Sequence, residues 1–99
     1  MAIVVVVRAR LKAAPEQIQK LHDEVTGATK DAAIAAGDLS HAVYLDPRDG
    51  RNFLGLDVWK SAEAFQKFAS DPKIQGFFAQ MFEGAPDVSV WDESGWRKW

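Results

Sequence analysis

"AIVVVVRARL", Ala2 to Leu11, decides how the rest of the chain must be arranged. Its β-branched side chains are stiff at χ1 and fit a pleated strand better than a helix. The apolar run is far shorter than the roughly 20 residues of a membrane span, and Arg8 and Arg10 follow it at once. No basic stretch precedes the run as it would in a secretory leader, so the expectation is a cytoplasmic protein. Within a strand, Ile3, Val5, Val7 and Ala9 point one way, and Val4 and Val6 point the other. Both faces are apolar. An antiparallel strand with one wet face alternates apolar with polar residues, whereas an unbroken apolar run marks burial on both sides.

The remaining elements follow from period and punctuation. Pro15 suits a first helical position. Ile18, Leu21, Val25, Ala28 and Ala32 then recur at steps of three or four until Gly37 offers a cap. Leu39 to Asp46 returns to period two, "DPRDGRN" supplies the residues of a turn, and Phe53 to Trp59 resumes as a strand. Ser61 is a helix cap for a short segment ending near Ser70. Asp71 and Pro72 then restart the helix, whose stripe of Ile74, Phe77, Phe78, Met81 and Phe82 is expected to run to Gly84. "DVSVW", Asp87 to Trp91, is the last strand. The order strand, helix, strand, strand, helix, strand predicts a single α+β domain over residues 1–99, a ferredoxin-like βαββαβ fold whose helices cover one face of a four-stranded antiparallel sheet.

That order leaves the other face uncovered. Val4, Val6, Leu54, Leu56 and Val58 all fall on it. At roughly 1.5–3 kcal/mol for each large aliphatic side chain, leaving them wet would forgo about 7–15 kcal/mol, comparable with the whole stability of a domain. The economical cover is a second copy of the same sheet in a symmetric homodimer. Folding of Glu93 to Trp99 across the face is the alternative, although so short a tail spans only part of it. Trp91, Trp96 and Trp99 are expected to dock on a partner chain.

Composition narrows the chemistry. A net charge of −2 with acids and bases interspersed provides no field to gather nucleic acid or an anionic membrane. The absence of cysteine removes disulfides, thiolate nucleophiles and cysteine-held metals. With only His22 and His41, on different elements and with no carboxylate at ligand spacing, no metal set is evident. Neither a phosphate loop nor a nucleotide fingerprint occurs.

His22 sits at the edge of the first helix's stripe, either as a boundary residue or as a general base. His41 interrupts the apolar row of Leu39, Val43 and Leu45, so its ring must find a hydrogen-bond partner, structural or functional. Asp57 lies among Leu56 and Val58, where a carboxylate needs a partner, and Arg8 or Arg10 could supply one. Trp59 offers a flat surface and one N–H. Helical spacing alone accounts for Phe65, Phe68, Phe77, Phe78 and Phe82 as core.

"GDLSHAVYLDPRDGRNFLGLDVWKSAEAFQKFASDPKIQGFF" resembles the antibiotic biosynthesis monooxygenase-like proteins, which are dimeric α+β barrels of ferredoxin-like subunits. The matching features are Gly37 ahead of the second strand, the Asp46-Pro47 turn, an acidic residue two before Trp59, Phe65 in the following helix and the "SDP" break. The resemblance implies a cofactor-independent monooxygenase that uses O2 on an aromatic quinol- or anthrone-type molecule. His41 or His22 would take the substrate's proton, Asp57 would orient a partner, and Trp59, Phe68, Phe78 and Tyr44 would contact the substrate. A non-catalytic dimeric module that binds small molecules on the same fold is the alternative. Haem degraders of the same superfamily carry an asparagine, a tryptophan and an iron-ligating histidine at positions that align with Val7, Phe68 and Phe78. Without an imidazole at residue 78, no axial ligand is evident.

Overall fold

The computed structural model describes residues 2–99. Strand β1 (Ile3–Leu11) turns into helix α1 (Pro15–Ala36), which ends at Gly37 with φ 123°. Side chains rarely adopt that conformation, and a Cβ there would stand 3.4 Å from the Ala64 Cβ. The Gly37 N–H reaches the carbonyls of Ala33 and Ile34 at 3.1 Å each, and its own carbonyl accepts from the Lys60 N–H at 2.9 Å. One glycine thus closes α1 and ties its end to the segment that follows the sheet hairpin.

That hairpin joins β2 (Asp38–Asp46) to β3 (Asp49–Trp59) through Pro47 and Arg48. The strand begins at Asp49 rather than at Phe53, so the polar run Asp49 to Asn52 is strand and not turn. Contacts with β1 and with Glu83 explain its order: Arg10 Nη1 lies 2.8 Å from Asp49 Oδ2 and 3.0 Å from Asn52 Oδ1. Arg51 donates to the Leu11 carbonyl and to Glu83. Ser61 caps α2 (Ala62–Ala69) by accepting from the Ala64 N–H, and Asp71 caps α3 (Pro72–Met81) by accepting from the Lys73 N–H.

The second helical region stops sooner than its spacing predicts. Phe82 continues the stripe begun at Phe78, yet it is the first residue of β4 (Phe82–Asp92), paired with Leu11 in the β1–β4 ladder. Pairing there buries it to 1% exposure, against Phe53 at a ring separation of 5.0 Å. Gly84, with φ 68°, lies inside the strand opposite the irregularity between Arg8 and Arg10 and ends no helix.

The sheet runs β2-β3-β1-β4, antiparallel throughout, with the helices on one face: the ferredoxin-like α+β fold read from the sequence. Two buried clusters form beneath them. Leu11, Ile18, Phe53, Met81 and Phe82 make one; Ile3, Val5 and Trp59 make the other, with Val7 packed against both. α1 buries only Ile18, so most of its length spans the gap between the two clusters and does not fill it. On the opposite face, Val4 stands across from Val58 and Val6 from Leu56, with Trp91 and Ala42 beside them. Glu93 to Trp99 form neither helix nor strand and are exposed throughout. None of the described helices is long and apolar enough to cross a membrane.

Candidate functional site

The gap beneath α1 is a cavity of about 450 Å³. Its lining is mostly apolar, from Val5 and Val7 of the sheet, Val25 and Ala33 of α1, and the aromatic residues of α2 and α3. Trp59 closes the floor at 2% exposure, edge-on to Phe65 at 5.7 Å and tilted against Phe68 at 5.2 Å. Phe65, Phe68, Phe77 and Phe78 therefore do double duty: helical spacing turns them inward, but what they face is partly open space.

Polar groups gather at one end of this cavity. Strand alternation puts His41, Val43 and Leu45 on the helix side of β2, and the ladder sets His41 directly opposite Asp57. His41 Nδ1 lies 2.7 Å from Asp57 Oδ1. Across the gap, His22 faces the sheet from α1, and the two Nε2 atoms are 2.9 Å apart. His22 Nδ1 lies 3.1 Å from Asp23 Oδ1, and Thr26 Oγ1 is 3.4 Å from His22 Nε2. Residues 19 positions apart in sequence thus join helix to sheet through their ring nitrogens.

The electrostatics reinforce the cluster. The hydrogen bond to Asp57 raises the His41 pKa above its ordinary 6.5; burial opposes this, and the charges of Asp57 and Asp38 add to it. Asp38, at the start of β2, is pushed up to about 8, first by burial and then by its hydrogen bond and charge contact with Asp57. A carboxyl pushed that high favours its protonated form, which can donate a hydrogen bond. Its Oδ1 and the Trp59 Nε1, from residues paired across β2 and β3, are buried polar atoms with no partner among the described residues. Buried polar atoms are nearly always satisfied, and both of these residues line the cavity.

Of the residues singled out from sequence, His22, His41, Asp57, Trp59, Phe68 and Phe78 all line the cavity. Tyr44 does not: it lies one residue out of phase with His41, so alternation turns it to the open face of the sheet, where it is 55% exposed and pairs with Leu54. Nor does Asp57 take Arg8 or Arg10 as its partner. Arg8 stands opposite Leu54 on the open face and Arg10 is engaged by Asp49, so His41 fills the role. Asp38, Asp23 and Thr26 were not apparent from sequence. The only signal for Asp38 is its place directly after the capping glycine, where it reads equally well as a loop residue. Among the described residues, no group of three or more His, Asp and Glu is disposed to hold a metal ion.

A family model described as antibiotic biosynthesis monooxygenase matches residues 4–80. No curated protein matches the sequence. Among solved structures, a monooxygenase from the gene ActVA-Orf6 of Streptomyces coelicolor, in complex with nanaomycin D, superposes with a TM-score of 0.74 at 21% identity over 98% of this chain and 91% of its own. SnoaB, a cofactor-independent oxygenase from Streptomyces nogalater, gives 0.70 at 14% identity over 93% and 92%. A conserved protein from Methanosarcina mazei gives 0.71 at 15% over 95% and 94%. At these identities the likeness is one of fold.

Proposed function

The chain belongs to the antibiotic biosynthesis monooxygenase family, and from that premise we propose a cofactor-independent monooxygenase that oxygenates an aromatic, quinol- or anthrone-type small molecule. The observation that carries this reading is the division of the cavity wall. It is aromatic and aliphatic along its length and polar at one end, where His22, His41, Asp57 and Asp38 converge. A flat ring system bearing one ionisable hydroxyl suits such a wall, with its rings against Trp59, Phe68 and Phe78 and its oxygen toward the histidines. The oxygenase descriptions of the two Streptomyces proteins of like fold agree with this reading.

In this scheme the histidines accept the hydroxyl proton, and Asp57 holds the His41 ring by its Nδ1. The resulting phenolate is electron-rich enough to pass one electron to O2. The two radicals combine into a carbon-bound peroxide, and loss of water leaves a new carbonyl. One oxygen atom stays on carbon; the other departs with the substrate's two hydrogens. Asp38, whose carboxyl is held above the usual carboxylate range by burial and by Asp57, lines the same cavity.

The same reading places a second copy of the chain on the open sheet face. Val4, Val6, Leu54, Leu56 and Val58 are contiguous there through the β1–β3 register, and a self-complementary patch of this kind suits a two-fold pair.

Oxygen consumption with a panel of hydroquinones and anthrones tests the proposal. Wild-type protein is expected to turn over at least one of them, His41→Ala to lose about 10²-fold or more, and Trp59→Phe to raise KM. No turnover on any member would favour a binding module instead, and turnover indifferent to both substitutions would remove the site assignment.

A further inference from the structure

We propose that His22 and His41 act as a single base, with Asp23 as the positioning residue that completes it. The part this plays in turnover rests on the function proposed above; the protonation behaviour does not. Three contacts run in series: Asp57 Oδ1 to His41 Nδ1 at 2.7 Å, His41 Nε2 to His22 Nε2 at 2.9 Å, and His22 Nδ1 to Asp23 Oδ1 at 3.1 Å. The ring planes are 20° apart with centroids separated by 5.1 Å, so the rings meet nitrogen to nitrogen near a common plane.

The proton count follows from the ends. An ionised carboxylate only accepts, so both Nδ1 atoms must carry hydrogen. A neutral imidazole has one N–H, so two neutral rings would aim their Nε2 lone pairs at each other across 2.9 Å. One added proton turns that repulsion into an N–H···N hydrogen bond. A further proton would press two cations together. Three protons on four nitrogens therefore satisfy all three contacts of the series.

Carboxylates on two packed elements favour that state. Asp57 faces the pair from β3 and Asp23 from α1; Asp38 of β2, with its raised pKa, adds its charge only once it ionises, and Lys30 of α1 lines the cavity as the one nearby cation among its described lining residues. When the pair takes a substrate's proton, the O–H bond breaks as the N–H bond forms, leaving an oxyanion in the cavity and the proton between the rings. Asp23 then offers the way out, because its side chain is 63% exposed against 20% for Asp57.

Side-chain NMR titration of the full-length protein without substrate tests this, comparing wild type with Asp23→Asn, Asp23→Glu and His22→Gln. In wild type, both rings should report the same two steps, as interacting sites do. Asp23→Asn should lower the upper step seen at His41 by about half to one pH unit, since a neighbouring opposite charge has been removed at an exposed site. Asp23→Glu should restore it, and His22→Gln should abolish the shared steps. If His41 titrates in one step indifferent to Asp23 and His22, the paired base is wrong. With an active substrate, the pH of half-maximal rate should move with the same step. Coupled titration with no turnover on any substrate would overturn the proposed function and leave the pair standing.

Discussion

Asp38→Asn should leave the protein's stability nearly unchanged in acid and raise it in base. The Asp38 pKa is about 8 in the fold against an ordinary 3.8. Between those values the folded chain holds a proton that the unfolded chain has released, so stability falls as pH rises through the window. Asparagine keeps the size and the neutrality of the protonated acid at every pH, so the variant escapes that fall. Taken whole, the displacement would amount to roughly 5–6 kcal/mol. Asp38 is only half-buried, and solvent screening reduces the expected gain to about 1–2 kcal/mol at pH 9. For a domain of this size that corresponds to a Tm higher by about 4–16 °C. Urea unfolding followed by tryptophan fluorescence at pH 5, 7 and 9 would measure it. The quantity to read is the difference between variant and wild type: His41, whose pKa is also raised, loses its own contribution above pH 6.5 in both proteins, and only the smallest cause of its shift, the Asp38 charge, differs between them. A difference that does not grow with pH, or a variant equally destabilised at all three values, would refute the reasoning that Asp38 is held neutral beside Asp57.

The remaining predictions concern packing and assembly. If the wild-type chain sediments as the dimer proposed above, Leu56→Lys, in the middle of the open sheet face, should reduce it to an 11.0 kDa monomer while circular dichroism stays native, since the lysine stem can lie along the sheet with its amine in water. An unchanged sedimentation coefficient would remove sheet-to-sheet pairing. Phe82→Ala should cost about 3–5 kcal/mol in urea unfolding, because the ring is fully enclosed between Phe53 and Phe78. A loss under 1 kcal/mol would mean that the helix-to-strand junction can collapse around the gap.

Local features carry most of the architecture. The valine run of β1, the spacing of Ile18, Leu21 and Val25 in α1, the cap at Gly37 and the Ser-Asp-Pro break between α2 and α3 are each decided within a few residues of themselves. Sequence pattern and fold part company where distant residues intervene. Phe82 continues a helical period, and only the ladder partner Leu11 draws it into β4. Asp49 to Asn52 have the composition of a loop, and Arg10 makes them strand. The site follows the same rule. His41 stands out in its row because a polar ring is odd there, and Trp59 because of its size. That His22 meets His41 depends on how α1 crosses the sheet, which no spacing along the chain records. Tyr44 shows how far parity matters: a residue three places from His41 looks like a neighbour in the sequence and lies on the other side of the sheet.

The two separate clusters beneath the helices mean that this domain keeps a hollow where a protein of 99 residues would usually concentrate its packing. A molecule that fills the hollow therefore acts as the missing centre of the hydrophobic interior. At 100 times its dissociation constant it would add about 2.7 kcal/mol to the folded state. Melting-point screens should accordingly reveal natural occupants whether or not any of them is chemically transformed.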